Sequence, residues 1–417
     1  MRILFLTEIS DPGVGSSSRL TFQLAREYEK LGHQCAVVGA VRSAADATPT
    51  EIQGIRVFRL HSDYPVRFRA WRSLHNKVID QPFEDVLAQW KPDLVHAHLI
   101  HTHLGYHALT QAKRSGARVV FTAHDVMTFC YQKLTCFHGG EARGGQDFDV
   151  QARPSKCIPC QRFRLRPGRN QRIRQVLEQD VDRVTVVSDA LGEVLRMNQV
   201  PVAATVHNGL ALQESLPSEQ EVQAFRAAHD LQGRRVVAIG GRLHSQKGVG
   251  KLLEMLALLA PDHPDLCLLV MGKAEIYEEE FLPQAQALGV AERVRTTGWL
   301  SGAELQQAYA AVDVFVTPSI CFDTFGMVNL EAMEHSKPVV ATSFGGSSEV
   351  VLHGETGFIA NPFALADFAG RVGELLGDPA LAQEMGARGR VRLEEKFTIG
   401  TTAEAYLGQY GQVLGRA

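Results

Sequence analysis

Short apolar runs alternate with amphipathic stretches along the chain. Residues 3–7 are apolar, and 17–31 carry apolar positions at helical spacing up to Gly32. The pattern then predicts strands at 35–39 and 55–60, a polar helix over 71–90 and a strand at 94–97. A helix over 104–115 ends at Gly116, and a strand follows at 118–122. The irregular stretch 127–170 interrupts this rhythm, which resumes with a strand at 183–187, a helix over 189–197 and a strand at 203–207. After Asn208-Gly209 the alternation restarts. Strands are expected at 235–239, 266–271, 294–297, 312–317 and 338–342. Helices are expected at 249–259, 278–288, 303–311 and 325–336, then 364–376, 380–396 and 402–414. Strand–helix alternation builds crossover units and parallel sheets. The fold class is α/β, with two Rossmann-like, doubly wound halves joined near residue 208.

Composition narrows the picture. The chain has 417 residues, 45% apolar and 21% charged, and a net charge of −3. That balance fits two globular domains rather than disorder, and argues against a protein built to grip nucleic acid. No apolar run approaches a membrane span. The start, Met1 to Thr7, reads as a buried strand rather than a leader, so a cytoplasmic location is expected. Seven cysteines in such a chain do not suggest a disulfide framework.

Ligands in doubly wound folds bind beyond the carboxyl ends of the strands. Three loops stand there. Gly13-Val14-Gly15-Ser16 follows the first strand and opens a helix, where small residues give an anion room to approach backbone N–H groups. Ser18 replaces the third glycine of a dinucleotide fingerprint, and no acidic residue ends the second strand, so a nicotinamide reading loses its ribose ligand. A plain tight turn explains the loop equally well. Gly240-Gly241-Arg242 followed by Lys247-Gly248 puts two cations beside a helix start, a diphosphate chemistry. Asp323 lies just before a helix that begins near Gly326-Met327-Val328 and carries Glu331. One carboxylate can hold sugar hydroxyls, the helix start phosphate, and the other carboxylate a ribose diol.

These motifs resemble the retaining glycosyltransferases of family 4, with the two-domain GT-B fold. The resemblance rests on Gly241-Arg242, Lys247-Gly248, Thr317-Pro318-Ser319, Phe325-Gly326, Leu330-Glu331-Ala332-Met333, residues 338–342, Gly345-Gly346, Glu349 and residues 353–357. In the first half it extends to Gly13–Gly15, residues 93–98, His124-Asp125, Ser188 and Asn208-Gly209. It implies an acceptor-side domain over 1–207, a nucleotide-sugar domain over 208–398, and a helix over 399–417 crossing back to the first, the domains facing a cleft. By resemblance Arg242 and Lys247 bind the donor diphosphate, Glu331 the ribose, and Gly13, Gly15, Gly241, Gly326, Met327 and Val328 line the donor. His124 contacts the donor sugar, and cleft closure brings it toward Asp323. Asp323 stands where the family has Glu, one methylene shorter. The implied reaction transfers a sugar from a UDP- or GDP-linked donor to a sugar or lipid-linked acceptor with retention. No cofactor is required, because the cations and helix end stabilise the departing diphosphate. An epimerase of the same fold and a non-catalytic nucleotide-sugar-binding subunit are the rival readings.

Cys130, Cys136, Cys157 and Cys160 cluster in the irregular insertion 127–170, and a four-cysteine structural zinc site would order it, with His138 able to replace one ligand. Idle thiols and an iron–sulfur cluster are the alternatives. Histidines crowd at His96, His98, His101, His103 and His107, and strand or loop packing explains them better than a metal does. Residues 153–174 hold eight basic and no acidic side chains, which suits an anionic acceptor or a peripheral membrane contact, although such runs are usually solvated. The acid–x–acid triplets Asp147–Asp149 and Asp180–Asp182 are read as incidental.

Overall fold

The computed structural model describes residues 1–415 and forms two compact units. The first comprises Met1–Leu134, Val150–Ala211 and the chain from Thr398 onward. The second comprises Thr135–Asp149 and Leu212–Phe397.

The first unit is built on eight strands: β1 (Arg2–Ile9), β2 (Gln34–Val41), β3 (Thr50–Ile52), β4 (Ile55–His61), β5 (Leu94–Ala97), β6 (Arg118–Ala123), β7 (Arg183–Val186) and β8 (Ala204–Thr205). Their order is β3-β4-β2-β1-β5-β6-β7-β8, parallel except for the β3–β4 hairpin. The apolar positions of β1, β2 and β5 pack against Leu20, Phe22, Leu24 and Tyr28 of the helix Ser16–Lys30. The last helix, Ile399–Leu414, closes the same core with Tyr406 and Tyr410. Tyr28 Oη donates to Ala403 O at 3.1 Å, and Tyr410 Oη lies 2.6 Å from His96 Nδ1, so the tyrosine hydroxyls stay satisfied when buried.

The second unit has six strands: β9 (Arg235–Gly240), β10 (Leu266–Met271), β11 (Val294–Thr296), β12 (Val314–Thr317), β13 (Val339–Thr342) and β14 (Gly357–Ala360). All run parallel in the order β11-β10-β9-β12-β13-β14. Leu252, Leu253 and Leu256 of the helix Val249–Leu259 and Phe368, Val372 and Leu375 of the helix Leu365–Gly377 pack with Val237, Leu268 and Val316 of the sheet.

Several expectations are corrected. The helix expected over 71–90 is two, Arg69–Arg72 and Asp80–Trp90. Between them the buried Asn76 spends its amide on Ser62 Oγ and His103 O, a side-chain bond that competes with helix continuation. The helix expected over 278–288 is split into Ala274–Glu280 and Leu282–Ala287. Pro283 sits in the first turn of the second, where a missing N–H costs nothing. Strands β3 and β14 and the helix Glu219–Ala228 were not expected. The domain limits also differ. The first unit runs to Ala211, and the insertion 127–170 is divided, 135–149 joining the second unit.

Aromatic packing explains that division. Phe137 meets Phe322 and Phe344 edge-on at 5.9 and 5.3 Å between centroids, and His138 stacks on Phe344 at 5.5 Å. Asn361 Nδ2 donates to Gly144 O at 2.7 Å, and Lys251 pairs with Glu141. Thr135–Asp149 is therefore a strap on the second unit.

Candidate functional site

The residues singled out from the sequence fall on both units. In the second, β9 ends at Gly240 and the chain turns through Gly241 at φ +100°. A short turn, Ser245–Lys247, leads to Gly248 at φ +76°, which opens the helix Val249–Leu259. A Cβ on Gly248 would lie 1.8 Å from Pro318 O, so only glycine lets this loop approach the one after β12. Ile320 N–H and Cys321 N–H donate to Gln246 O at 3.0 and 3.2 Å and stitch the two loops together.

That stitching places Lys247 Nζ 3.5 Å from Ser319 Oγ and 3.6 Å from Asp323 Oδ2. Ser319 Oγ also donates to Asp323 Oδ2 at 3.3 Å. The Asp323 charge raises the lysine pKa above its usual value, against the opposing effect of burial, so the ammonium stays charged. Asp323 is only 6% exposed. Its N–H donates to Phe344 O at 3.0 Å, and its carbonyl accepts from Gly346 N–H at 2.7 Å.

Gly326, at φ +84°, caps the helix Met327–Glu334. Val328 reaches toward Gly241, which brings the β9 loop to this helix start. Glu331 is buried and takes a hydrogen bond from Tyr309 Oη at 2.7 Å. The second unit thus gathers Gly241, Lys247, Asp323, Gly326, Met327, Val328 and Glu331 around two loops. Arg242 stands on the same loop, exposed and without a hydrogen bond or ion pair among the described residues. Tyr309 and the bracing role of Ser319 were missed from the sequence. Ser319 ends the Thr317-Pro318-Ser319 motif, whereas no local pattern marks Tyr309.

In the first unit, Gly13 N–H donates to Asp11 Oδ1 at 2.8 Å and Gly15 opens the first helix at φ +89°. Ser18, in place of the third fingerprint glycine, braces the turn by donating to Ile9 O and Asp11 O at 2.8 and 2.9 Å. His124 follows β6, with Nε2 2.7 Å from His98 Nδ1. Burial pulls its pKa down to about 4, so it is a neutral imidazole at physiological pH. It can exchange hydrogen bonds with a sugar but brings no positive charge.

A cavity of about 550 Å³ opens beside the carboxyl ends of β1 and β2, lined by Glu8, Ser10, Asp11, Arg42, Thr102 and His103 among others. Glu8 accepts the N–H groups of Thr102 and His103 at 2.6 and 2.7 Å; burial raises its pKa despite these bonds. No local sequence pattern marks this cavity, because its residues come from four separate stretches, 8–14, 40–42, Val66 and 102–103.

The cysteine expectation does not fit the structure. Cys136 belongs to the second unit, and Cys130, Cys157 and Cys160 to the first. Cys136 and Cys160 are exposed. Among the described residues, no group of three donor atoms within 4.8 Å of one another includes a cysteine, whereas a tetrahedral thiolate site needs four sulfurs around one point. His138, the substitute ligand, is used in ring packing, and its Nδ1 accepts Gly140 N–H at 2.9 Å.

Two family descriptions divide the chain. "Glycosyltransferase Family 4" matches residues 17–214, and "Glycosyl transferases group 1" matches residues 221–392. The chain belongs to the group 1, family 4 glycosyltransferases. This glycosyltransferase family member is 33% identical over 219 residues to a GDP-mannose-dependent α-(1-6)-phosphatidylinositol monomannoside mannosyltransferase of Mycolicibacterium smegmatis. The match covers 51% of the chain and 57% of the relative. The chain spans about half the length of the curated relatives it matches first, 45% to 57%. Among solved structures it resembles a sucrose-phosphate synthase from Thermosynechococcus elongatus, with a TM-score of 0.78 at 20% identity and full coverage of both chains. The HepE protein of Anabaena, solved with UDP and glucose, gives 0.73 at 18% identity, covering 99% of this chain and all of that one. These likenesses establish the GT-B fold for the family member, and nothing finer.

Proposed function

We propose that the protein transfers a sugar from a nucleoside diphosphate donor to an acceptor with retention of anomeric configuration. One observation carries this reading: Lys247, held charged by Ser319 and Asp323, stands with the Gly326-capped helix and the buried Glu331–Tyr309 pair on one strand-end surface. That surface supplies a cation and helix N–H groups for a diphosphate, and carboxylates for hydroxyls. The neighbour solved with UDP and the relative acting on GDP-mannose both support a nucleotide-sugar donor, while leaving uracil and guanine open.

As the sugar–phosphate bond breaks, negative charge grows on the leaving diphosphate. Lys247 and Arg242 offset it, and the helix start at Met327 and Val328 adds oriented N–H groups. Neutral His124 orients the sugar. The departing phosphate oxygen takes the proton of the acceptor hydroxyl on the same face, which accounts for retention without a protein nucleophile. The cavity lined by Glu8, Arg42 and His103 is the acceptor position in this reading.

Incubation with a panel of UDP- and GDP-sugars and glycan or glycolipid acceptors should give transfer for one donor. Lys247→Ala should lower kcat/KM about 10²- to 10³-fold with folding intact. Epimerised donor without acceptor, or transfer indifferent to Lys247, would defeat the reading.

Peripheral contact with an anionic bilayer belongs to the same proposal. Residues 64–79 and 150–177 contain no acidic side chain and meet where the Arg166 guanidinium stacks over Trp71 at 4.9 Å. Phe68, Trp71, Ile158 and Phe163 stand exposed among their arginines, the mixed apolar and basic surface that anionic interfaces attract. No helix among the described residues is long and apolar enough to cross a membrane. The protein should co-float with vesicles containing phosphatidylserine and not with neutral ones, and the double change Phe163→Ser, Trp71→Ser should weaken flotation. Equal flotation with both vesicle types would refute this.

A further inference from the structure

A second cluster of metal-ligating side chains lies in the first unit, apart from the cysteines and from every residue assigned above to donor or acceptor. His75, Asp80 and His107 place three donor atoms within 4.8 Å of one another. The His75 and His107 rings are 4.0 Å apart between centroids, and His75 Nε2 is 2.7 Å from Asp80 Oδ2. All three side chains are half-buried, so solvent has access.

From this geometry we propose that His75, Asp80 and His107 form a binding site for a divalent transition metal of the zinc class. Ligands at tetrahedral angles around zinc stand about 3.4 Å apart, within reach of the present spacing after small side-chain shifts. Two imidazoles and one carboxylate are a known three-ligand set, and they leave the fourth position to water.

The site is built by the backbone rather than gathered by chance contacts of long surface side chains. Asp80 is the first residue of the helix Asp80–Trp90, and His107 the first of the helix His107–Arg114. Tyr106 N–H donates to Ser73 O at 2.7 Å and His107 N–H to Leu74 O at 3.1 Å, so the chain entering His75 is tied to the start of the second helix. Gln111 Nε2 donates to Asp80 O at 2.9 Å and fixes the two helix starts to each other.

The polar accounting points the same way. Asp80 Oδ1 is shielded from solvent and has no hydrogen-bond partner, a costly state for a carboxylate oxygen that a coordinated cation would relieve. The bound ion would clamp the loop 73–79 to the helix His107–Arg114.

The test uses the full chain with Cys130, Cys136, Cys157 and Cys160 all replaced by Ser, so that thiolates cannot contribute, after stripping with chelator. Titration with Co²⁺ should give visible d–d absorption of a four-coordinate N/O site at one equivalent. Zn²⁺ should displace it and raise the thermal midpoint by several degrees. His107→Gln and, separately, Asp80→Asn should weaken binding at least ~10-fold and remove the thermal shift, while circular dichroism stays unchanged. Failure of Co²⁺ and Zn²⁺ to bind, or binding that both variants leave unaltered, would overturn the proposal. If the four-serine chain does not fold, the same titration on the native chain read by Co²⁺ bands decides it. Only thiolate charge-transfer bands, insensitive to His107→Gln, would also overturn it.

Discussion

Glu331 shows how one hydrogen bond can orient a buried carboxylate. Its carboxylate is buried on the helix Met327–Glu334, and Tyr309 Oη donates to Oε2 at 2.7 Å, which fixes the orientation of the group that the proposed function assigns to the donor ribose. Tyr309→Phe removes the donor and keeps the ring that packs beside Phe315 and His335. A hydrogen bond to a charged group is worth about 1.5–3 kcal/mol. The variant should therefore raise the donor KM roughly 10-fold or more, with a smaller change in kcat, measured at saturating acceptor. A loss confined to kcat would mean that Glu331 acts on the reacting centre rather than on binding. Lys247 is fixed differently. Its position depends on Gly248 and Gly345, whose added Cβ atoms would lie 1.8 Å from Pro318 O and 2.0 Å from Asp323 O. Glycines at positive φ thus let the lysine and aspartate loops come together.

At the scale of elements, the apolar pattern was legible wherever burial follows a regular period. β5 and β10 and the helices Asp189–Met197 and Val249–Leu259 have the limits that the pattern predicts. So was the grouping of Lys247 with Asp323 beside the Gly326-capped helix, because these residues lie in short contiguous motifs at strand ends. What periodicity could not show was set by contacts distant in sequence. β14 is a four-residue run whose burial comes from pairing with β13. Asn76 breaks a helix through partners at 62 and 103. The clustered cysteines suggested that metal orders the insertion, yet Thr135–Asp149 is held by Phe137 and His138 against Phe322, Phe344 and Phe363. Phe137 is only 2% exposed, so Phe137→Ala should destabilise the second unit by about 3–5 kcal/mol, read as a lower urea midpoint. Because Phe344 O also accepts Asp323 N–H, donor binding should weaken in the same variant. Unchanged stability would show that the strap is not held by this ring.

At the scale of the whole molecule, buried imidazoles set the response to acid. Burial lowers the pKa of His124 and His335 to about 4, and those of His96 and His98 well below the usual 6.5. In the unfolded chain all four titrate near 6.5. Above that value both states hold them neutral, and they contribute no pH dependence. As pH falls below 6.5 the unfolded chain takes up protons that the folded one refuses, so stability declines toward pH 4. Each such group contributes a slope of up to about 1.4 kcal/mol per pH unit. Glu8 and Glu334 oppose this. Burial raises their pKa, so the folded state takes up their protons first and gains stability as pH falls. Two carboxyls against four imidazoles leave a net loss. Urea midpoints should be flat from pH 8 to 7 and fall steeply between pH 6.5 and 5. His335→Gln, which removes the imidazole facing Gln306 Oε1 at 2.6 Å, should reduce proton uptake on unfolding of the second unit by about one at pH 5. A midpoint that stays level down to pH 5, or a slope indifferent to His335→Gln, would mean that these rings accept protons without the fold opening.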